Sequence, residues 1–296
     1  MAVLMGLLFQ NVLNGLSAGS VYALIAVGLV LIYRSSGVLH FAHGSFAMLA
    51  TFVAYTLHQQ GLGLVPSFLG ATLVAFVLGA GTFRLLLDRA REGGSHAVVM
   101  ITIALFMVSE GAAGAVWGSD TKDFNHYFSE PGVVNVGSDV YLSEHNLWIN
   151  VVTVVIVGLL ALFFRFTRVG VAMRAVFDNE TAAELMGVRV KRLHAVTWGI
   201  ASALAAAAGL LLVPKVFLDP SMMFAPMLKA FAAAVLGGLS SIPGAIVGGW
   251  LLGVIETLAG AYISTEFQAS IAFFIIIAVL ALRPEGLLGR RKVTKV

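Results

Sequence analysis

Long apolar runs separated by short polar segments dominate the chain. A bilayer core about 30 Å thick requires roughly 20 apolar residues per helix, and eight runs approach or exceed that length: 3–33, 39–57, 64–87, 97–117, 147–166, 193–213, 227–263 and 267–282. Polar residues should interrupt the first run, and the seventh should fold as two segments about the turn-forming sequence GGLSSIPG. The pattern predicts an all-α transmembrane bundle of eight or nine membrane segments, forming one domain over residues 1–296.

The composition agrees with a lipid-facing surface. Of the 296 residues, 59% are hydrophobic and 11% are charged, and the mean hydropathy is +0.95. A soluble domain has about 25% charged residues, because water must solvate its surface. The chain has no cysteine, so disulfides and thiolate metal sites are excluded. The first ten residues lack the basic start and small-residue cleavage site of a signal peptide, and we assign them to the first membrane segment.

Basic residues predict the orientation, since short cytoplasmic loops are enriched in Lys and Arg. Three arginines lie at 84–91, six basic residues at 165–192, and five in the tail at 283–295. By contrast, the segment 118–146 has one lysine against five acidic residues. We therefore expect the basic loops and the C-terminus to be cytoplasmic and 118–146 to be an extracytoplasmic loop. If 227–263 crosses twice, the N-terminus lies outside.

The sequence contains no recognisable catalytic constellation. There is no GxxxxGK[ST] phosphate-binding loop, so the chain should not hydrolyse ATP through a P-loop. There is no HExxH motif, and His40 and His43 have no third metal ligand at a useful spacing. We therefore expect no catalytic residues, no metal and no cofactor in this chain, and no basic stripe indicates nucleic-acid binding.

Two kinds of intramembrane residue are candidates for function. Glu110 and Glu256 are the carboxylates placed most clearly inside apolar runs, where ionisable groups are costly. They could be hydrogen-bonded within the bundle, or they could line a transport route. Three GxxxG spacings start at Gly15, Gly244 and Gly249; they favour close helix packing, and the same glycines could instead lie along a seam that opens.

The cytoplasmic loop at 171–192 predicts a short docking helix. Asp178, Asn179 or Thr181 could cap it, Glu184 follows Thr181 at capping-box spacing, and Gly187 would end it. A helix of about two turns cannot bury its apolar residues in a core of its own. It could seat in a groove on another protein, or it could pack against the underside of the bundle.

Three blocks of sequence resemble the branched-chain amino acid ABC transporter permeases. The segments 14–46, 174–209 and 228–256, followed by RPEGLLG at 283–289, match the order of the family's signatures. The resemblance is nearer to the shorter permease subunit of the usual pair. This sequence differs from the family pattern at His40, where the family usually has Asn before Phe-Ala-His-Gly. A histidine is bulkier than an asparagine and can titrate.

The resemblance implies functional residues. It places the ATPase-coupling helix at Ala175, Asp178, Asn179, Ala182, Ala183, Glu184, Met186 and Gly187. Together with the intramembrane polar positions, it suggests a translocation pathway along His40, Phe41, His43, Gly44, Glu110, Gly237, Gly238 and Glu256.

The resemblance also implies partners. These are a second, related permease, two cytoplasmic ATPase subunits that bind ATP and Mg²⁺, and a periplasmic solute-binding protein, assembled in the bacterial inner membrane. The solute would be a branched-chain amino acid or a related small solute such as another amino acid, urea, an amide or an aromatic acid. An ion- or proton-coupled secondary transporter with Glu110 or Glu256 as carrier remains the alternative, and an intramembrane enzyme is disfavoured by the missing catalytic residues.

Overall fold

A computed structural model describes residues 2–124, 132–137 and 140–289. The described residues contain twelve α-helices and one hairpin: α1 Ala2–Ser36, α2 His43–Gln59, α3 Leu64–Thr82, α4 Asp88–Ala90, α5 Ser95–Trp117, β1 Val133–Gly137, β2 Val140–Ser143, α6 Glu144–Phe166, α7 Arg168–Asp178, α8 Glu180–Leu185, α9 Val190–Leu212, α10 Phe224–Gly237, α11 Ile242–Tyr262 and α12 Thr265–Leu282. A π-helical turn, Phe83–Leu87, joins α3 to α4. The all-α prediction is confirmed; the antiparallel hairpin within the segment 118–146 was not predicted.

Six helices in the described ranges are long and apolar enough to cross a bilayer: Met5–Ser36, Leu64–Ala90, His96–Trp117, Glu144–Phe166, Val190–Lys215 and Ile242–Tyr262. Two shorter apolar helices, Phe224–Gly237 and Ser270–Leu282, accompany them. The predicted division of the run 227–263 is confirmed, because α10 and α11 are separate helices joined by a turn with Gly238 at φ +105°.

The prediction that polar residues interrupt the first apolar run, 3–33, is wrong. Helix α1 is continuous over 35 residues, which corresponds to about 52 Å at 1.5 Å per residue. Its polar residues are tolerated because neighbouring helices supply partners. The amide of Asn146 donates to Asn14 (2.9 Å), and Asn150 both donates to Ser17 (2.8 Å) and accepts from Ser20 (2.9 Å).

Helix α1 is the centre of the bundle and packs closely against α11. A Cβ added to Gly15 would lie 2.7 Å from Cα of Val254, and one added to Gly19 would lie 2.6 Å from the carbonyl oxygen of Gly249. The two helices therefore run antiparallel with their backbones almost in contact. Such an approach maximises van der Waals packing where lipid supplies no hydrophobic driving force.

Helix α2 begins inside the bundle rather than at its edge. Its first residue, His43, lies against the middle of α1, where a Cβ added to Gly28 would be 2.5 Å from Nε2 of His43. The other end of α2 reaches the segment that follows α5, since Trp117 Nε1 donates to Thr56 (2.9 Å) and Tyr55 packs edge-on against Phe124. The segment 37–42 therefore returns from the end of α1 into the interior.

Helix α10 begins close to the same point. A Cβ on Gly44, in the first turn of α2, would lie 3.2 Å from Cβ of Met227 and 3.3 Å from the carbonyl oxygen of Met223. At its other end, α10 is held by the C-terminal segment, because the backbone N–H groups of Leu287 and Leu288 donate to the carbonyls of Leu236 and Gly237. The first turns of α2 and α10 therefore meet in the interior of the helix bundle.

Candidate transport cavity and coupling segment

The junction of α2, α5 and α10 encloses a cavity of about 340 Å³. This volume lies within the range of small-molecule sites, about 300–1,000 Å³. The wall is almost entirely apolar, formed by Leu29, Leu39, Phe41, Ile103, Phe106, Pro220, Met223, Phe224, Met227, Leu228 and Phe231, with His40, Gly44, Ser45 and Glu110 as its remaining members. The cavity is open on one side, where Phe41 and Phe224 are half exposed.

His40 is the most unusual residue in this wall. Its side chain is 1% exposed, and neither ring nitrogen has a hydrogen-bond partner among the described residues. The ring packs against Trp198, with centroids 4.5 Å apart, and edge-on against Phe46 at 5.1 Å. A buried polar group without a hydrogen-bond partner is costly.

The first turn of α2 adds unpaired donors beside His40. The N-cap residue, Ala42, has no side chain that can accept from the helix. Within the described chain, the N–H groups of His43 and Phe46 have backbone acceptors, whereas those of Gly44 and Ser45 have none. Orphan N–H groups of this kind carry the positive end of the helix dipole.

Glu110 enters the cavity from α5. Its side chain is partly exposed, and Asp219, in the connection between α9 and α10, is close enough to interact with it electrostatically. The cavity wall therefore includes a carboxyl group in addition to His40 and the first turn of α2. Both polar features lie within an otherwise apolar wall.

The predicted pathway residues separate into two groups. Four line the cavity: His40, Phe41, Gly44 and Glu110. His43 is buried behind them, beside Gly28. The remaining three, Gly237, Gly238 and Glu256, lie elsewhere in the fold.

Gly237 and Gly238 belong to the end of α10. A Cβ on Gly238 would lie 2.7 Å from the backbone of Glu285 and Gly289, so this glycine allows the C-terminal segment to approach. Gly237 is buried against the start of α11 and accepts a hydrogen bond from Leu288. Their surroundings are those of packing residues.

Glu256 forms a buried ion pair with Lys229. Glu256 lies on α11, 3% exposed, and Lys229 on α10 donates to its Oε1. Lys229 Nζ also lies 5.6 Å from the ring centroid of Tyr22 on α1. Lys229 does not extend to the membrane interface, because its ammonium group turns inward to neutralise this carboxylate. Sequence could not reveal this pairing, since the partners are 27 positions apart on different helices.

The segment 171–192, predicted to be a cytoplasmic loop with one helix, lies across two helices, α7 and α8. The amphipathic α7 was missed, and α8 spans six residues rather than two full turns. Of the three possible caps, Asn179 serves: its Oδ1 accepts from the N–H of Ala182 at 3.0 Å. Gly187 ends the segment at φ +84°, as expected.

The predicted coupling residues divide by exposure. Ala183 is buried against Val176 and Val190. The others are exposed: Ala175, Asp178, Asn179, Ala182, Glu184, Met186 and Gly187. Leu185 and Met186 are 85% and 84% exposed, so the end of α8 presents two large apolar side chains with no intramolecular partner surface.

Glu180 anchors the start of α8 to the bundle. Both carboxylate oxygens accept from Arg91 at 3.1 Å, and Oε1 lies 3.1 Å from Nε2 of His194 on α9. Partial burial would raise the pKa of Glu180, but the hydrogen bond with His194 and the charge of Arg91 outweigh it and lower the pKa below its usual value. His194 in turn contacts Ser35 of α1 at 3.0 Å. These contacts connect α8 to α1 and α9; no sequence signal pointed to Arg91 or His194.

Comparison with known proteins identifies the family. Residues 11–280 match the model of the branched-chain amino acid transport system / permease component family. The chain is 33% identical to the high-affinity branched-chain amino acid transport system permease protein LivH of Escherichia coli and 34% identical to BraD of Pseudomonas aeruginosa, in each case over 97% of both chains. The probable branched-chain amino acid transport permease protein LivH of Methanocaldococcus jannaschii is 29% identical over 90% of this chain and 88% of its own length. No solved structure is significantly similar. The chain is therefore a multi-pass membrane protein that belongs to the branched-chain amino acid transport permease family.

Proposed function

We propose that this chain is one permease subunit of an ATP-driven importer for branched-chain or other hydrophobic amino acids. The observation that carries the proposal is the similarity to such permeases over nearly the full length of both chains. The apolar cavity supports it, because a wall of Phe, Leu and Met side chains suits a hydrophobic solute.

The assembly would contain a second permease, two cytoplasmic ATPases and a periplasmic solute-binding protein. A docking surface for an ATPase is needed, since the sequence has no nucleotide-binding loop of its own. The exposed end of α8 suits that role. Leu185 and Met186 project from a helix that Glu180 fixes to the bundle. Motion of a seated α8 would then be transmitted to α1 and α9, as alternating access requires.

The orientation follows from the same assignment. With α8 in the cytoplasm, the basic segments flanking it and the C-terminal segment lie on the cytoplasmic side, in agreement with the positive-inside rule. The hairpin of β1 and β2 then lies outside, where a solute-binding protein would dock.

Copurification tests the partners. The tagged chain, extracted in a mild detergent from its native membranes, should bring down two P-loop ATPases and a second permease. Recovery of the chain alone would contradict the importer assignment.

Reconstituted uptake tests the role of α8. Leu185→Asp should abolish ATP-dependent uptake of leucine and release the ATPases during purification, because an acidic group would replace an apolar contact. Glu184→Lys and Ala182→Trp should also abolish uptake. Leu288→Asp, on the C-terminal segment, is the matched control for the charge change and should retain the ATPases. Retained uptake in the α8 variants would refute the coupling role.

An ionophore distinguishes the alternative mechanism. Uptake by an ATP-driven importer should persist when a proton uncoupler collapses the gradient, both in the unaltered protein and in Glu256→Gln. Collapse of uptake in the unaltered protein would favour a proton-coupled transporter. The pairing of Glu256 with Lys229 does not favour a carrier role, since the carboxylate is already neutralised.

A further inference from the structure

A basic groove of about 480 Å³ lies where the end of α3 meets the start of α9. Three basic residues, Arg84, Lys191 and Arg192, line it together with Asp88 and Phe83. The membrane-spanning segment that contains α3 ends shortly after Arg84, and the one that contains α9 begins just before Lys191. The groove therefore lies at the level of one membrane surface, where lipid headgroups lie, and it shares no lining residue with the apolar cavity.

Two of the three positive charges in this groove have no counter-ion. Lys191 Nζ donates to Oδ2 of Asp88 at 3.0 Å, so these two charges balance one another. Arg84 and Arg192 have neither a hydrogen-bond acceptor nor an ion-pair partner among the described residues. The groove therefore carries an excess of two positive charges. Both belong to guanidinium groups, whose planar fork of N–H donors matches the oxygens of a phosphate.

The groove is built on a rigid junction of two helices. Phe83 and Leu87, the first and last residues of the π-helical turn, are each 1% exposed. The Phe83 ring packs against His194 and Trp198 of α9, with centroids 5.4 and 6.0 Å apart. Arg84 therefore leaves the chain between two buried anchors. Its backbone is already ordered, which reduces the entropy that a ligand must overcome on binding.

An apolar surface continues from the groove along the membrane-spanning part of α3. Leu73, Val77 and Leu85 are between 60% and 67% exposed. Acyl chains could contact these side chains while a phosphate lies at the arginines. A soluble phosphate would use only the charged part of this surface, so the combination favours a lipid. Basic pockets between transmembrane helices are known to bind anionic headgroups.

We propose that this groove binds the phosphate of one anionic phospholipid. Arg84 and Arg192 bind the phosphate oxygens, and the exposed side chains of α3 contact the acyl chains. A phosphatidylcholine headgroup binds less tightly, because its choline cation would face the same arginines. The inference goes beyond the proposed function, since it depends on insertion in a membrane and not on the solute or on ATP.

Lipid binding to the purified protein tests the site. The full chain is extracted in a mild detergent with any subunits that accompany it, depleted of native lipid and studied by native mass spectrometry. The probes are dioleoyl phosphatidylglycerol and dioleoyl phosphatidylcholine, which share their acyl chains and differ in headgroup charge. Phosphatidylglycerol should occupy one site at least tenfold more tightly, since each Lys or Arg beside an anionic lipid contributes about fivefold.

Paired substitutions identify the residues responsible. Arg84→Gln combined with Arg192→Gln should reduce the preference to less than threefold. Arg89→Gln combined with Arg189→Gln is the matched control, because it removes the same charge from the same two segments outside the groove lining; it should leave the preference unchanged. Arg84→Lys with Arg192→Lys keeps both charges and should retain most of the preference. Phosphatidylcholine should bind all these proteins within twofold, which shows that the fold and the acyl-chain contact are intact.

Four outcomes would overturn the site. An unaltered protein that does not prefer phosphatidylglycerol would remove it outright. Equal losses in the two Gln pairs would show a general effect of surface charge. Displacement of the lipid by millimolar inorganic phosphate would identify a soluble anion as the ligand. Binding by the chain alone, but not by the chain assembled with its other subunits, would show that another protein covers the groove.

The outcome is independent of the transport assays. Because the readout is lipid binding, a failure of leucine uptake would contradict the proposed function and leave this site standing. Conversely, a transporter that takes up leucine with ATP but shows no lipid preference would keep its function and lose the site.

Discussion

Replacing Lys229 and replacing Glu256 in their buried ion pair should lower the free energy of unfolding by unequal amounts. Lys229→Met would leave the Glu256 carboxylate, 3% exposed, without its counter-ion. Removing one partner of a buried pair costs about 3–5 kcal/mol. Lys229 is less confined: its side chain is 23% exposed, and its ammonium group also lies near the ring of Tyr22.

Glu256→Gln should therefore cost less than Lys229→Met. The lysine can extend towards solvent, and its contact with the Tyr22 ring retains about 0.5–2 kcal/mol. We expect a loss of about 1–3 kcal/mol for this variant. In the double variant no charge is left unpaired, so its loss should resemble that of Glu256→Gln alone. The cycle then gives a coupling energy equal to the Lys229→Met loss, about 3–5 kcal/mol, at or above the upper end of the range of about 0.5–3 kcal/mol for directly contacting residues.

Reversible unfolding in mixed micelles, followed by tryptophan fluorescence, measures the free energies of unfolding of the unaltered protein, the two single variants and the double variant. Met227→Leu, two positions from Lys229 on the same helix, is a control for changes of side-chain volume and should shift the free energy of unfolding by less than about 1.5 kcal/mol. A double variant whose loss equals the sum of the single losses would refute the reasoning, because it would mean that the two charges do not stabilise one another.

Three further predictions concern other contacts. Gly253→Val should destabilise the bundle by about 3 kcal/mol or more, because the valine side chain would collide with the backbone of α1. The matched control, Gly111→Val, meets open space and should be near neutral. Equal melting temperatures of the two variants in detergent would contradict the close approach of α11 to α1. Asn150→Leu should cost about 1–3 kcal/mol, since it removes the hydrogen bonds that Asn150 makes with Ser17 and Ser20 of α1; unchanged denaturant stability would show that these hydrogen bonds contribute nothing. The pKa of Glu180 is lowered in the folded protein, so its ionised carboxylate stabilises the fold above the ordinary glutamate pKa, and this stabilisation is lost as pH falls through the lowered value. The melting temperatures of the unaltered protein and Glu180→Gln should therefore differ at pH 7 and converge in acid. A difference that stays constant with pH would refute this linkage.

The apolar pattern predicted the helices well because lipid imposes a simple rule of length and hydropathy. It failed for α1, where Asn14 and Ser17 read as interruptions. Their partners, Asn146 and Asn150, lie about 130 residues away, and only the fold brings them together. A helix boundary inferred from local polarity ignores partners of this kind.

The residues of the candidate site could also be predicted only in part from the sequence. His40, Phe41 and Gly44 were found as one contiguous block, and Glu110 as a carboxylate in an apolar run; all four line one cavity. The aromatic side chains of α5 and α10 that complete the wall read as ordinary membrane residues, since an apolar position facing lipid and one facing a cavity have the same sequence signature. Glu180 was missed because its partners come from two other segments.

The C-terminal segment that holds the end of α10 has a consequence for how the protein is made. The last carbonyls of α10 lack partners within their own helix, and Leu236 and Gly237 obtain theirs from Leu287 and Leu288, which leave the ribosome about fifty residues later. The hairpin of α10 and α11 can therefore enter the membrane early but can be closed only when translation is almost complete. Chains that end before this segment would insert into the bilayer without the hydrogen bonds from Leu287 and Leu288 to the end of α10, and membrane quality control could recognise them by that defect.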